Sequence, residues 1–157
     1  MIENLIVRRI QESDIEPVAK LWYKLSLHHE PFHAYYSVKQ DGEEQLLAHV
    51  HDLMARECLF FVAEINGEIC GFVSGYIVRR NPQLSVDRVG KVDNIFVAED
   101  KRGKRIGTKL IESLCECFTQ QGVKYIEISC DVQNPDALRL YKRLGFVEQK
   151  MLLVKED

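Results

Sequence analysis

Apolar residues recur along this chain with two periods, and the points where the period changes divide it into elements. Residues 5–10 alternate and read as a first strand. Ser13-Asp14-Ile15-Glu16 has the form of a capping box with Pro17 in the first turn. Ile15, Val18, Ala19, Trp22 and Leu25 then make one apolar stripe, which predicts a helix to about Leu27. Residues 28–36 read as a loop, and Leu46, Leu47, Val50, Leu53 and Met54 mark a second helix over 41–56. Two apolar runs, 59–65 and 68–78, flank Asn66-Gly67, a pair that tolerates positive φ and so predicts a hairpin. Polar residues 79–89, with Pro82, read as a loop; residues 125–130 alternate as a strand; and Asn134-Pro135 opens a short helix whose Ala137, Leu138, Tyr141 and Leu144 share a face before Gly145 ends it. Residues 146–154 supply one long strand or two short ones.

The stretch 92–111 is organised differently from the rest. It reads as a strand, a turn packed with Lys, Arg and Gly, and a helix that Ile106, Leu110, Ile111, Leu114, Cys117 and Phe118 define by their spacing and Gly122 closes. A helix N-terminus exposes unpaired N–H groups and the positive end of the helix dipole, and normally attracts Asp and Glu. Lys101, Arg102, Lys104, Arg105 and Lys109 stand there instead. Cations at that place make sense if a polyanion docks on them, and a phosphate is the usual one.

Arg102-Gly103-Lys104-Arg105-Ile106-Gly107 resembles the coenzyme A pyrophosphate motif of the GCN5-related N-acetyltransferases, Gln/Arg-x-x-Gly-x-Gly/Ala, with Arg105 where the middle glycine is usual. A side chain fits there if φ stays negative. A second stretch, from Asn134-Pro135-Asp136-Ala137 through Tyr141 to Gly145-Phe146, resembles the family's Asn-x-x-Ala-x-x-x-Tyr-x-x-x-Gly-Phe ending. The element order β-α-α-β-β-β-α-β-α-β matches the family over nearly the whole chain. The resemblance implies an α/β acyl-CoA N-acyltransferase fold, a mixed sheet flanked by about four helices, in a single domain over residues 1–157, with acetyl-CoA as cosubstrate.

It also implies roles. Residues 102–108, Thr108 included, would hold the pyrophosphate through backbone N–H groups; Ile95, Phe96 and Val97 would pair with the pantetheine arm; and Asn134 and Ala137 would flank it. Asn134 has an N-cap as its other reading. Tyr141 would protonate the leaving thiolate. Asp93 is the candidate base for an alkylammonium substrate, placed on the face opposite to Asn94 by strand alternation. His28, Glu30 and Tyr35 fall in the loop that shapes the acceptor site in related proteins. The acceptor would be a primary amine of a small molecule or peptide, attacked directly in a ternary complex. The alternative is a CoA-binding sensor or interaction module without turnover. Homodimers are frequent in the family, so a dimer is expected.

Composition narrows the picture only at its edges. The 157 residues suit one domain with one core. Residues 1–90 hold 9 Lys/Arg against 13 Asp/Glu and residues 91–157 hold 12 against 11, for a net charge of −3, a poor electrostatic footprint for nucleic acid. Five cysteines without Cys-x-x-Cys pairing suit reduced thiols. No His, Cys or acidic spacing suits a metal. Met1-Ile2-Glu3-Asn4 lacks the form of a signal peptide and no run is long enough to span a membrane, so the expected compartment is the cytoplasm.

Overall fold

The computed structural model describes residues 4–157, so the reading of the N-terminus lies, for its first three residues, outside the described part. Five strands form one sheet in the order β1 (Leu5–Arg9), β2 (Leu59–Ile65), β3 (Glu68–Arg79), β4 (Arg88–Val97) and β5 (Ile126–Ile128). The first four are antiparallel neighbours; β5 runs parallel to β4. The parallel pair is joined by α3 (Ile106–Gln120), because a parallel return needs a crossover. Helices α1 (Ile15–His29) and α2 (Gly42–Met54) link β1 to β2, and α4 (Pro135–Arg143) follows β5. No helix among the described residues is long and apolar enough to cross a membrane.

Each face of the sheet has its own core. On one, Val18, Trp22 and Leu25 of α1 and Val50 of α2 bury against Phe60, Val62, Phe72 and Phe96. On the other, Ile106, Leu110, Leu114 and Phe118 of α3 bury against Val73 and Val92. Each large side chain removed from water there contributes about 1.5–3 kcal/mol. Gly90 sets how closely α3 approaches, since a Cβ on it would lie 2.5 Å from the Phe118 ring.

Three local expectations are corrected. The turn before α1 starts earlier than Ser13: Asp14 receives the Gln11 amide at 2.7 Å and also takes a forked pair of bonds from Arg8, so that tertiary contact selects Gln11 as the cap. Arg8 in turn bonds Glu64 on the neighbouring strand. Burial raises the Asp14 pKa, but the Arg8 and Gln11 bonds outweigh it and hold the carboxyl below its ordinary value. The alternating stretch 125–130 forms only three residues of strand. The expected last strand over 146–154 is absent: these residues have no regular structure, and Val147, Met151, Leu152 and Leu153 are each more than three-quarters exposed. A strand needs a neighbour for its backbone groups, and the adjacent edge, β5, is too short to supply one.

Candidate active site

The sheet opens at one place. β4 pairs with β5 only at Gly90–Ile126, Lys91–Glu127 and Val92–Ile128, and then runs on through Asp93 to Val97 alone on that side. The parting begins at a bulge. Ser74 of β3 faces Asn94 while Gly75 faces Val92, leaving Asp93 as an extra residue that twists β4 away from its parallel neighbour. The bulge also breaks the alternation. Asp93 and Asn94 do not point to opposite faces: the Asn94 amide donates to the Asp93 carboxylate at 2.9 Å and lies 3.4 Å from the Ser74 hydroxyl.

Backbone direction along the parted segment follows from one bond. The Ala98 amide donates to the Cys70 carbonyl of β3 at 2.7 Å, so by the two-residue repeat Phe96 faces β3, and Ile95 and Val97 face the gap. Of the three expected arm contacts, Phe96 is therefore engaged within the sheet. Its ring is buried in the first core and carries the Arg102 guanidinium 5.0 Å above its centre. Arg102 also donates to the Val97 carbonyl at 3.0 Å, which ties the turn to the end of the strand.

The turn itself delivers unpaired donors. Among the described residues, the amides of Gly103, Lys104, Arg105, Ile106, Gly107 and Thr108 meet no protein acceptor, α3 has no acidic residue in its first turn, and no side chain caps it. Arg102, Lys104, Arg105 and Lys109 have no carboxylate partner there; Lys101 lies 3.7 Å from Asp100. Arg105 takes φ +63°, overturning the expectation of a negative value. The last step into α3 requires the left-handed conformation that glycine supplies at that point in the motif. Arg105 adopts it at a cost of about 1 kcal/mol. Ile106 and Thr108 turn inward, and a Cβ on Gly107 would make ordinary contact, 3.6 Å from Leu140 of α4 and 3.9 Å from Ile95 and Val97. Gly107 thus marks the point where α3, β4 and α4 converge.

α4 is held by caps at both ends. The Asn134 side-chain oxygen accepts from the Ala137 amide at 3.3 Å, so Asn134 is an N-cap, with its side-chain NH2 free to donate to an acceptor. At the other end Gly145 and Phe146 donate to the Lys142 and Tyr141 carbonyls, and the Phe146 ring packs edge-on against Tyr141. Tyr141 is 7% exposed, and burial, then the nearby Cys130, pushes its phenol up to about 12. Its hydroxyl has no hydrogen bond among the described residues, and no buried side-chain polar atom there lacks a partner. The hydroxyl therefore touches solvent and faces outward from an otherwise buried ring.

A second hollow, of about 410 Å³, lies across β4 between α1, α2 and the loop after α1; Tyr35, Tyr36, His29 and Asn94 are in its wall. Tyr35, expected there, is present. His28 packs against Phe32, and the Glu30 carboxylate receives the Val38 amide at 2.7 Å; neither lines the hollow. His29 and Tyr36 belong to the same expected loop, whose histidines and tyrosines were expected near an acceptor; Asn94 and Asp131 were not singled out for it. Burial, then the neighbouring His28, lowers the His29 pKa against the opposing pull of Asp131. The Tyr36 hydroxyl donates to Asp131 at 3.1 Å, and the Gln133 side chain donates to the Phe32 carbonyl at 2.7 Å, so the loop after α1 is tied to the loop before α4. The Tyr36–Asp131 contact joins positions too far apart for any local pattern.

All five cysteines are unpaired. Burial, then the charge of Asp93, pushes the Cys58 thiol up to about 11, and burial also raises Cys70, Cys115 and Cys130. Such thiols are poor nucleophiles. No group of three potential metal ligands occurs among the described residues.

The chain is similar to known proteins in sequence and in fold. The chain is 31% identical over 156 residues to an uncharacterised N-acetyltransferase of Methanocaldococcus jannaschii, covering 97% of this chain and 65% of that protein. It is 35% identical over 113 residues to an N-alpha-acetyltransferase of Sulfurisphaera tokodaii, covering 66% of this chain and 65% of that one. The chain thus spans just under two-thirds of each relative's length. Among solved structures, the aminoglycoside acetyltransferase AAC(6')-Iy with a CoA bisubstrate analogue superposes with a TM-score of 0.80 at 18% identity, over 99% of both chains. That likeness establishes the fold. The model of the acetyltransferase (GNAT) family matches residues 11–146, from the turn before α1 to the cap of α4 and so across both walls of the gap, and the chain belongs to that family.

Proposed function

We propose that this protein transfers the acetyl group of acetyl-CoA to a primary amine of a small molecule or peptide, directly, within a ternary complex. The observation that carries this reading is the parting of β4 from β5 beside a cation-rich helix start whose amides are unpaired. The amides of residues 103–108 hold the diphosphate; the gap-facing backbone of Ile95 and Val97 pairs with the pantetheine arm; Asn134 and Ala137 flank it from α4. The amine nitrogen attacks the thioester carbonyl carbon, the carbon–sulfur bond breaks, and the thiolate takes a proton from Tyr141. The nitrogen loses its proton to Asp93, directly or through water. Elevated thiol pKa values favour this route over an acetyl-cysteine intermediate. A cytoplasmic homodimer completes the reading.

Two measurements test it. Acetyl-CoA should raise the melting temperature, and thiol release should appear with at least one amine; absence of stabilisation well above micromolar coenzyme overturns the assignment. Binding without release across amine classes would leave the sensor reading. Tyr141→Phe should lower kcat about a hundredfold with little change in coenzyme affinity. Because the folded phenol ionises near 12, above its unfolded value near 10, its contribution to stability is complete below about pH 10 and is lost as pH rises toward 12. The Tyr141-dependent alkaline loss of stability should vanish in the phenylalanine variant.

A further inference from the structure

The hollow beside β4 has rings on its wall and no carboxylate. Tyr23, Tyr35, Tyr36 and His29 line it with Leu46, and the charged residue in its lining is Lys39. The carboxylates nearby are bonded elsewhere within the protein. Asp131 accepts from Tyr36 through one oxygen and from the Gln133 amide through the other. Glu30 accepts the Val38 amide, Asp41 the Gln45 side chain, and Asp93 the Asn94 amide. The Glu30–Val38 and Tyr36–Asp131 bonds close the loop that forms the wall, and breaking either to receive a substrate cation would loosen the wall that receives it.

The volume admits such a ligand: a hollow of about 410 Å³ has room for a ring and the carbons that carry it. Tyrosine faces attract a single ammonium, but several ammonium groups need several carboxylates, and Lys39 repels them all. Burial lowers the affinity of His29 for a proton, which keeps the imidazole a neutral hydrogen-bonding partner at neutral pH.

Resting on the acetyltransferase reading above, we propose that the acceptor is a monocationic amine with an aromatic or apolar body of side-chain size, and that Lys39 is a specificity residue that turns away polycations. The polycationic aminoglycoside acceptors of the structural neighbour are thereby excluded from this pocket.

The test is a thiol-release panel of phenethylamine, spermidine and kanamycin on wild type and Lys39→Glu, with acetyl-CoA binding measured alongside. Wild type should prefer phenethylamine in kcat/KM by about tenfold or more, since like charges brought together in a binding site are strongly disfavoured. Lys39→Glu should raise kcat/KM for spermidine several-fold more than for phenethylamine, since three ammonium charges meet the reversed side chain instead of one; Lys39 is exposed, so folding is not at stake. A wild-type preference for spermidine or kanamycin, or an unchanged spermidine value in the variant, overturns the proposal while the acetyltransferase reading stands. Coenzyme binding with no release from any amine overturns both.

Discussion

The two sides of β4 are built on opposite plans. At the proposed donor end, six consecutive amides, residues 103–108, meet no acceptor among the described residues, and Arg102, Lys104, Arg105 and Lys109 have no carboxylate partner there. At the proposed acceptor end the polar groups are bonded to one another across the chain: Tyr36 to Asp131, Gln133 to Phe32, Glu30 to Val38. A site for a fixed, highly charged ligand can hold its donors ready, because the helix backbone keeps them in place without help. A site for a small amine must be assembled from side chains, and those need internal partners to stay in position. The first plan lies within one turn of chain; the second exists only after folding.

Three substitutions would break or sharpen this contrast. Gly107→Glu puts a carboxylate where α3, β4 and α4 converge and where the phosphates are proposed to sit, so acetyl-CoA affinity, by calorimetry, should fall about a hundredfold or more. Amine binding to the acceptor hollow should be unaffected, and loss at both ends would mean that the two are not separate. Tyr36→Phe removes the bond to Asp131 and should raise the KM for the amine about tenfold, the worth of one hydrogen bond to a charged group. The coenzyme dissociation constant should stay where it is; a matching rise there would show that the loop braces the donor end as well. The smallest effect is expected from Arg105→Gly. It relieves the left-handed strain and should stabilise the fold by about 1 kcal/mol, seen as a melting temperature a few degrees higher. An unchanged or lower melting temperature would mean that the Arg105 side chain offsets the strain by contacts of its own.

How much could be read in advance divides along the same line. The basic turn, the helix after it and the capped α4 are local patterns: α3 starts at Ile106 just past the turn, and Asn134 caps α4. Asp93 stands at the bulge, but the alternation rule misplaced it relative to Asn94, because an extra residue in one strand is decided by its pairing with β3. Glu30 looked like a free carboxylate in an acceptor loop and is a staple for that loop. Phe96 looked equivalent to its neighbours, until strand pairing turned its backbone toward β3.

By itself the sequence determined most of the elements, the two apolar faces and the basic glycine turn before α3, since each arises from interactions within a few residues or from a simple period. Whether residues 146–154 become a strand, which edge of β4 stays open, and which carboxylates remain free were decided only in three dimensions. Each of those outcomes depends on a partner distant in the chain, and no local pattern carries the identity of that partner.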